Sequence, residues 1–309
     1  MKMTDISLII PVMNEEKNVG LLLEKLEAIM PAAKKTYEYL FIEGGSEDST
    51  LNILQEKAKT IPQIKIISLS KSFGKEASLL CGFDYAQGKA AIPIDADLQD
   101  PPEIIPEFIK KWEEGNQMVY GVRKIRKDSF LKNTLSSFFY KIYNLISDYP
   151  IPYNAGDYRL LDRSVIEALK NCRERNLFMK GLFGWVGFKT DSIEFDRPKR
   201  NAGNTGLPYK KLWNLALDGI FSASTLPLRI WTYLGAIIAI FSAFYAFFII
   251  TKTLILGKDT PGYASLAVLI LFFGALQMIS VGILGEYIGR IYKETKQRPN
   301  YIIDKKFNI

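Results

Sequence analysis

Two long apolar segments in the last third of the chain constrain its fold more than any other feature. Residues 230–250 and residues 263–285 contain no charged side chain. At a rise of about 1.5 Å per residue, a helix of either length covers a hydrocarbon core of roughly 30 Å. Two such segments in succession, after a long region of mixed polarity, predict a membrane hairpin. Buried core helices are the alternative.

The charges around the hairpin predict its orientation. The connection at 251–262 is short, whereas the region after Gly289 carries an excess of basic residues: Arg290, Lys293, Lys296, Arg298, Lys305 and Lys306, against Glu294 and Asp304. Because Lys and Arg favour the cytoplasmic side, this region is expected inside, and two crossings place the N-terminal region on the same side. The first apolar run, residues 6–13, contains Pro11 and is too short for a signal peptide.

A pair of aspartates follows another apolar run. Residues 90–94 predict a strand, and Asp95 and Asp97 come directly after it. Because side chains alternate along a strand, both carboxylates project from one side, at the end where parallel sheets bind ligands. Two carboxylates with no lysine beside them in the sequence suit a hard divalent cation that also holds substrate phosphates. The alternative is a simple turn before a helix that Asp100 caps and that Pro101 and Pro102 open.

The composition narrows the chemistry. The chain has no histidine, so a His-ligated metal site is excluded and a general base must be a carboxylate or a less usual group. Cys81 and Cys172 are its two cysteines, which suit a reducing cytosol and lack metal-ligand spacing. The formal net charge of +7 fits anionic lipid headgroups and phosphorylated substrates; no nucleic-acid motif accompanies it.

Strand and helix patterns alternate along the first part of the chain. Strands are predicted at residues 6–12, 37–42, 64–69, 90–94 and 118–122, and helices at 15–30, 46–59, 74–85 and 102–114. This alternation predicts an α/β fold with a mainly parallel sheet and helices on both faces. Apolar residues also recur at helical spacing in 130–146 and 209–221. The default for each is packing on the sheet, but Trp213, with lysines nearby, suggests that the second of these helices lies among lipid headgroups.

Several motifs then occur in an order that carries a resemblance. They are PVMNEE at 11–16, GGSEDST at 44–50, SFGKEASLLCGF at 72–83, DADLQDPPE at 95–103, GDYRLLDR at 156–163, ERNLFMKG at 174–181 and WNLALDGI at 213–220. With the hairpin, they make the chain resemble the family 2 glycosyltransferases of the polyprenyl-phosphate type. The bactoprenol glucosyl transferases are the most similar group, and dolichol-phosphate mannose synthases are wider kin. The resemblance covers residues 5–303.

The resemblance implies a GT-A catalytic domain at 1–205, an interfacial region at 206–228, a transmembrane hairpin at 229–289 and a basic cytoplasmic tail at 290–309. It implies Mg²⁺ or Mn²⁺ on Asp95 and Asp97, and Asp157 as the catalytic carboxylate. The implied donor-binding residues are Pro11, Asn14, Glu15, Glu43, Lys75, Asp95, Asp97 and Arg200. The acceptor-binding residues suggested are Arg159, Arg197 and Trp213.

The function expected from the resemblance is inverting transfer of one hexose, with glucose favoured, from a UDP-sugar to undecaprenyl phosphate. The enzyme would be a homo-oligomer in the bacterial inner membrane and serve O-antigen or other envelope glycan modification. One departure matters: the family has an aspartate before the Gly-Ser of its second turn, whereas this chain has Glu43 and Gly44. The identity of the nucleotide therefore stays open.

Several of these residues also fit a plainer role. Asn14 fits a helix cap, Lys75 fits a solvated surface lysine, and Asp157 with Arg159 fits a structural ion pair. Arg197, Lys199 and Arg200 fit a membrane-facing basic patch. Another sugar, of the mannose or aminoarabinose type, would use the same chemistry. A non-catalytic membrane tether is the competing hypothesis from a different class.

Overall fold

The computed structural model describes residues 4–124, 137, 140, 141, 143–147, 149–196, 198, 224–257 and 262–309. The chain forms two compact units. One comprises Met1–Gly219 together with Arg298–Ile309, and the other comprises Ile220–Gln297.

The first unit contains one mixed sheet of eight strands. The strands are β1 (Ile6–Val12), β2 (Tyr37–Glu43), β3 (Ile64–Leu69), β4 (Ala90–Pro93), β5 (Met118–Arg123), β6 (Ala155–Asp162), β7 (Thr190–Phe195) and β8 (Ile303–Phe307). Their order in the sheet is β7-β5-β6-β4-β1-β2-β3-β8. The pairings of β1 with β2 and β4, of β2 with β3, and of β5 with β7 are parallel. Strand β6 is antiparallel to both of its neighbours, and β8 is antiparallel to β3.

Helices cover both faces of this sheet. They are α1 (Val19–Ile29), α2 (Thr50–Thr60), α3 (Lys75–Tyr85), α4 (Ile105–Glu113), α5 (Arg163–Lys170) and α6 (Met179–Trp185). The side chains of strand β1 alternate between the two faces. Leu8 and Ile10 belong to the hydrophobic core under α1, α2 and α4, and Ile9 belongs to the core under α3, α5 and α6. The alternation along a buried strand therefore supplies two separate hydrophobic layers.

The sequence prediction of an α/β fold with a mainly parallel sheet is confirmed. All five predicted strands are present, and the predicted helices begin within a few residues of their expected starts. The largest shifts are four residues, at α1, which starts at Val19 rather than residue 15, and at α2, which starts at Thr50 rather than residue 46. Before α1, Asn14 adopts a left-handed φ of 55° and breaks the helical path. Strands β6, β7 and β8 were not predicted from the sequence.

The C-terminal segment folds back onto the first unit. Strand β8 pairs with β3, with Ile66 opposite Phe307 and Ile67 opposite Lys306. Tyr301 adds a side-chain anchor, since its hydroxyl donates to Asp84 at 2.5 Å. Residues 290–309 were predicted to form a basic tail. In the structure, the last twelve of them belong to the same unit as the sheet.

The second unit contains two long apolar helices, α7 (Leu226–Leu256) and α8 (Tyr263–Thr295). Each contains a 28-residue stretch that is long and apolar enough to cross a membrane, and an 18-residue window within each stretch has a mean hydropathy of 2.3. Large apolar side chains on both helices are exposed to the surroundings, among them Phe241 and Leu271. Exposed apolar surface of this extent suits lipid rather than water. The interfacial helix predicted at 209–221 and most of the segment at 130–146 lie outside the described residues.

Helix α3 approaches the sheet closely at Gly82. A Cβ built on Gly82 would overlap Ile9 Cγ2 and lie 3.3 Å from Ile9 Cβ and Cδ1. Because Ile9 is β-branched, fully buried and stiff, it cannot move aside cheaply. We predict that Gly82→Ala destabilises the protein by about 1–3 kcal/mol through overpacking. Thermal unfolding of the purified protein in detergent measures this loss.

Gly20 provides the matched control. It also lies in a helix, α1, but a Cβ there would have nothing within 4 Å. Gly20→Ala should leave the unfolding temperature unchanged or raise it, since alanine is the better helix former. If both variants unfold at the wild-type temperature, the close packing of α3 on β1 is not a determinant of stability.

Candidate active site

A cleft of about 270 Å³ opens at the carboxyl ends of strands β1 to β4. Residues from the loops after these strands line it: Pro11, Val12, Met13, Glu15, Gly44, Ser72, Gly74, Lys75, Ser78, Asp95, Ala96 and Asp97. The four strands are parallel, so their loops meet at one edge of the sheet, which is where such sheets bind ligands. The aspartate pair that the sequence singled out lies at the edge where this cleft opens. We call this cavity the donor cleft.

Asn14 fastens the loop after β1 to the loop after β2. Its backbone N–H donates to Ser46 Oγ at 3.0 Å, and its side-chain oxygen accepts from the Glu47 N–H at 2.9 Å. With φ at 55°, Asn14 does not act as the cap of α1. Asn14 does not line the donor cleft; it fixes the shape of the loops that do.

Glu43 is buried beneath the cleft rather than exposed in it. Its carboxylate accepts hydrogen bonds from the Ser46 N–H and, at 2.8 Å, from Ser68 Oγ. The side chain is only 1% exposed, so its oxygens stabilise the turn after β2. Gly44 lines the cleft instead. The cleft wall therefore presents Gly44, and not the Glu43 carboxylate, at this point.

The two aspartates after β4 lie in a tightly constrained loop. Asp97 Oδ1 accepts from the Gln99 N–H at 3.1 Å, and the intervening Leu98 has a φ of 61°. A left-handed leucine costs of order 1–3 kcal/mol, which its burial helps to offset. Asp100 is buried below the loop and accepts, at 3.4 Å, from the Asp95 N–H. The predicted capping role of Asp100 is wrong, because no side chain caps the short helix that starts at Pro102.

Lys75 joins this loop to the carboxylate on β6. Its ammonium lies 2.6 Å from Asp95 Oδ1 and 2.9 Å from Asp157 Oδ2. No lysine lies beside the aspartate pair in the sequence, but the first residue of α3 supplies one in space. Asp157 Oδ1 is buried and finds no hydrogen-bond partner among the described residues. The interpretation of Lys75 as a solvated surface lysine is therefore not supported.

The charges in this cluster shift one another's protonation. Burial raises the pKa of Asp157, but the ammonium groups of Lys75 and Lys180 outweigh it and hold that pKa well below its usual range. Burial, and next the Asp157 carboxylate, raises the pKa of Glu76 to about 7. Burial and the Asp95 carboxylate raise the pKa of Asp100 to about 7. One firmly ionised carboxylate thus lies among neighbours that ionise less readily, an arrangement typical of active sites.

Arg159 lies two residues after Asp157 on β6, and it is 3% exposed. Its guanidinium stacks on the Phe183 ring at 3.7 Å and donates to the Gly156 carbonyl. Burial lowers its pKa to about 10, so the group remains charged. The geometry favours a packing and electrostatic role for Arg159 over direct contact with an acceptor.

Comparisons with known proteins agree with this geometry. The model of glycosyl transferase family 2 matches residues 7–170. The chain belongs to glycosyl transferase family 2. It is 50% identical over 306 residues to an uncharacterized glycosyltransferase of Synechocystis sp., covering 99% of this chain and 96% of that protein. It is 48% identical over 301 residues to a prophage bactoprenol glucosyl transferase homolog of Escherichia coli, covering 97% of this chain and 98% of that protein.

Among solved structures, the transferase is similar to mannosyl-3-phosphoglycerate synthase from Rubrobacter xylanophilus. The two share 14% sequence identity, the TM-score is 0.51, and the match covers 73% of this chain and 74% of the other. At this identity the likeness concerns the fold alone, and it agrees with the GT-A fold implied by the motifs.

The side chains in the cleft supply only some of the ligands that a divalent cation needs. Among the described residues, no group of three or more carboxylate, thiolate or imidazole side chains is placed to hold a metal unaided. Mg²⁺ characteristically takes one or two protein carboxylates and completes its shell with water and substrate phosphates. Asp95 and Asp97 supply that number of oxygen ligands in the donor cleft. The residues therefore fit a cation that arrives with, or is completed by, a diphosphate.

The structure describes nine of the twelve predicted site residues and brings six of them together. Pro11, Glu15, Lys75, Asp95 and Asp97 line the donor cleft. Asp157 reaches Lys75 on its border. Arg197, Arg200 and Trp213 lie outside the described residues, so their roles stay predictions.

Sequence reasoning missed four further residues near the site. They are Glu76, Tyr158, Arg175 and Asn300. Glu76 follows Lys75, and its carboxylate accepts from the Met179 N–H at 3.2 Å. Tyr158 donates to the Pro101 carbonyl at 2.8 Å and so ties β6 to the aspartate loop. Glu76 and Tyr158 lie in the same motifs as Lys75 and Asp157, and those motifs could have indicated them. No local sequence pattern links Arg175 to Asn300.

The contacts of Lys75 predict that it competes with a divalent cation for Asp95. We expect Lys75→Met to bind Mn²⁺ in the absence of nucleotide roughly twofold to fivefold more tightly, the range that partly exposed ion pairs support. Titration of Mn²⁺ followed by its paramagnetic resonance signal measures this affinity directly.

Lys71→Met is the matched control, since Lys71 lies four residues earlier and packs over the Phe73 ring rather than on a carboxylate. Its loss should leave Mn²⁺ affinity near the wild-type value. An equal gain in both variants would show a general effect of net charge, and a weaker affinity in Lys75→Met would contradict competition for Asp95.

Proposed function

We propose that this transferase moves a single hexose, with glucose favoured, from a UDP-sugar to undecaprenyl phosphate on the cytoplasmic leaflet. The observation that carries the proposal is the joint presence of the Asp95–Lys75–Asp157 cluster at a donor cleft and two helices able to cross a membrane. Relatives 45–48% identical over nearly the full chain bear the name bactoprenol glucosyl transferase. The product would then serve O-antigen or other envelope glycan modification.

The reaction we infer is one displacement with inversion at the anomeric carbon. An oxygen of the lipid phosphate forms a bond to that carbon while the bond to the nucleoside diphosphate breaks, and the electron pair leaves with the diphosphate. A phosphate monoester is already largely ionised near pH 7, so its oxygen needs no strong base. Asp157 would therefore orient the acceptor more than remove a proton from it.

Each residue of the cluster has a distinct task in this proposal. Asp95 and Asp97 would hold the cation, which when bound neutralises the charge that builds on the departing diphosphate. Lys75 would keep Asp157 ionised and correctly placed. The loops fastened by Asn14 and Glu43 would shape the nucleoside end of the cleft. Because Gly44 lacks the carboxylate usual in the family, another nucleotide is the alternative that the site favours most.

Single-residue changes separate the donor role from the acceptor role. Asp157→Asn should reduce kcat by roughly a hundredfold or more, because small errors in positioning have effects of that size. Its binding of UDP with Mn²⁺ should stay near normal, since the interaction is needed mainly in the transition state. Asp97→Asn should abolish transfer together with metal-dependent UDP binding.

Transfer assays with labelled UDP-glucose and calorimetric titration with UDP measure the two effects. Glu103→Gln is the control, because Glu103 pairs with Lys25 on the surface at 3.6 Å. Equal loss of UDP affinity and turnover in Asp157→Asn would make Asp157 a donor-binding or structural residue.

Chain connectivity supports the proposed membrane topology. Strands β3 and β8 precede and follow the two apolar helices, yet they are paired neighbours in one sheet. The chain must therefore return to the side from which it started, which an even number of crossings achieves. The excess of Lys and Arg after Gly289 assigns that side to the cytoplasm.

Cysteine labelling in intact cells tests this topology. In a variant with Cys81 and Cys172 replaced, we expect a cysteine at residue 259 to react with an impermeant reagent. A cysteine at residue 309 should react only after the cells are opened. The reverse pattern would place the transferase unit outside and remove the cytoplasmic donor from the proposal.

A further inference from the structure

A second cleft, of about 240 Å³, adjoins the donor cleft and takes no part in the donor chemistry described above. Its lining residues are Phe73, Gly74, Lys75, Glu76, Ala77, Arg175, Asn176, Leu177, Phe178 and Asn300. Lys75 and Gly74 line both clefts, so the start of α3 forms a shared wall. We call this second cavity the rear cleft.

The rear cleft has the charge that suits a phosphate without a metal. Arg175 contributes a guanidinium, which is held in place by donating to Asn300 Oδ1 at 3.0 Å. Lys75 adds a second cationic residue to the lining, although its ammonium also contacts Asp95 and Asp157. Glu76 is the acidic residue among those that line it, and burial raises the pKa of Glu76 to about 7, which weakens its repulsion of an anion. The donor cleft, in contrast, presents Glu15, Asp95 and Asp97.

The same cleft also has an apolar wall. Phe73, Leu177 and Phe178 lie among its lining residues beside the two cations. A free inorganic phosphate would gain nothing from such a wall, whereas a phosphate monoester on a hydrocarbon chain would bury its first carbons there. The lining is thus both cationic and apolar, which is the chemistry of an isoprenyl phosphate headgroup.

We propose that the rear cleft binds the phosphate of the lipid acceptor, with Arg175 and Lys75 as its cationic partners. This inference rests on the proposed function and names the acceptor subsite of that reaction. Lys75 contacts Asp157 and lines both clefts, so the rear cleft meets the donor cleft at the residue that holds this carboxylate. A displacement reaction requires the acceptor and the leaving diphosphate on opposite sides of the sugar.

Arg175 takes the place that the sequence predicted for Arg159. A guanidinium binds phosphate through a planar fork of N–H groups, which must be accessible to form paired hydrogen bonds. Arg159 is 3% exposed and stacked on Phe183, whereas Arg175 lines an open cavity. Asn300, the residue that orients Arg175, comes five positions after the end of α8, so the segment that follows an apolar helix completes the site.

Substitution of Arg175 tests the proposal in the full-length enzyme. Arg175→Gln should raise KM for undecaprenyl phosphate roughly tenfold to hundredfold, the size expected for one lost hydrogen bond to a charged group. Its KM for UDP-glucose should change less than about threefold. Arg175→Lys should recover part of the loss, because it restores the charge without the fork. Lys170→Gln is the matched control, since Lys170 pairs with Glu167 on a helix surface.

The variant Asn300→Ala distinguishes a structural role of Arg175 from a role in binding the phosphate. That variant removes the contact between Arg175 and the C-terminal segment but keeps the guanidinium, so it should raise KM for the lipid far less than Arg175→Gln does. If both variants lose the same activity and the same unfolding temperature, Arg175 only anchors the segment and the proposal is overturned.

Direct binding distinguishes the source of the phosphate and does not depend on sugar transfer. Farnesyl phosphate, farnesol and inorganic phosphate are titrated into wild type and Arg175→Gln in detergent, with phosphorus resonance or calorimetry as the readout. We expect farnesyl phosphate to bind wild type at least about tenfold more tightly than farnesol or inorganic phosphate, and to lose this advantage in Arg175→Gln.

Equal affinity for inorganic phosphate would make the rear cleft a site for a soluble anion and would refute the acceptor assignment. Arg175-dependent binding of farnesyl phosphate without any hexose transfer would refute the proposed function but leave the site standing. Normal transfer with an unchanged lipid KM in Arg175→Gln would refute the site but leave the proposed function standing.

Discussion

The ammonium of Lys75, held between Asp95 and Asp157, is the contact through which the parts of the active site are joined. It connects the first residue of α3, the loop after β4 and strand β6. Two carboxylates converging in a partly buried cleft repel each other unless a cation lies nearby. Lys75 supplies that cation in the protein itself, so the site can stay assembled before any substrate arrives.

This arrangement has a consequence for how the substrates are placed. Lys75 lines both the donor cleft and the rear cleft, and Asp157 contacts it from β6. In the proposed function, a diphosphate and its cation entering the donor cleft would change the charge balance around Asp95, the carboxylate that Lys75 contacts. A single side chain can thus couple the filling of one cleft to the electrostatics of the other, without any movement of the sheet.

The C-terminal strand joins the segment that follows the two apolar helices to the sheet of the first unit. Strand β8 completes the sheet beside β3, and Tyr301 and Asn300 bond to Asp84 and Arg175. Asp84 is further held by a bidentate pair with Arg173, at 2.6 and 2.8 Å. The segment that leaves the apolar helices is therefore part of the transferase unit. Strand β8 of this segment extends the sheet, and in our proposal Asn300 orients Arg175 for the acceptor phosphate.

The sequence by itself determined the local features of this protein. Buried runs such as Ile6–Val12 specify strands through apolar side chains, and charge-free stretches specify helices α7 and α8 through length. The ordered motifs were enough to indicate the family, and Asp95 and Asp97 were enough to indicate the ligand edge of the sheet. Each of these signals is a continuous stretch of sequence or an order of such stretches along the chain, so it can be recognised without knowledge of the fold.

The tertiary structure decided the pairings. Lys75 and Asp95 are 20 residues apart, and Arg175 and Asn300 are 125 apart, so no periodicity links them. Strand β8 is a short edge strand with three exposed residues between Ile303 and Phe307, and it is held by backbone hydrogen bonds that any side chain permits. Arg159 shares a motif with Asp157, yet packing on Phe183 buries it. Contacts of this kind depend on which surfaces the folded sheet brings together, and a linear pattern does not contain that information.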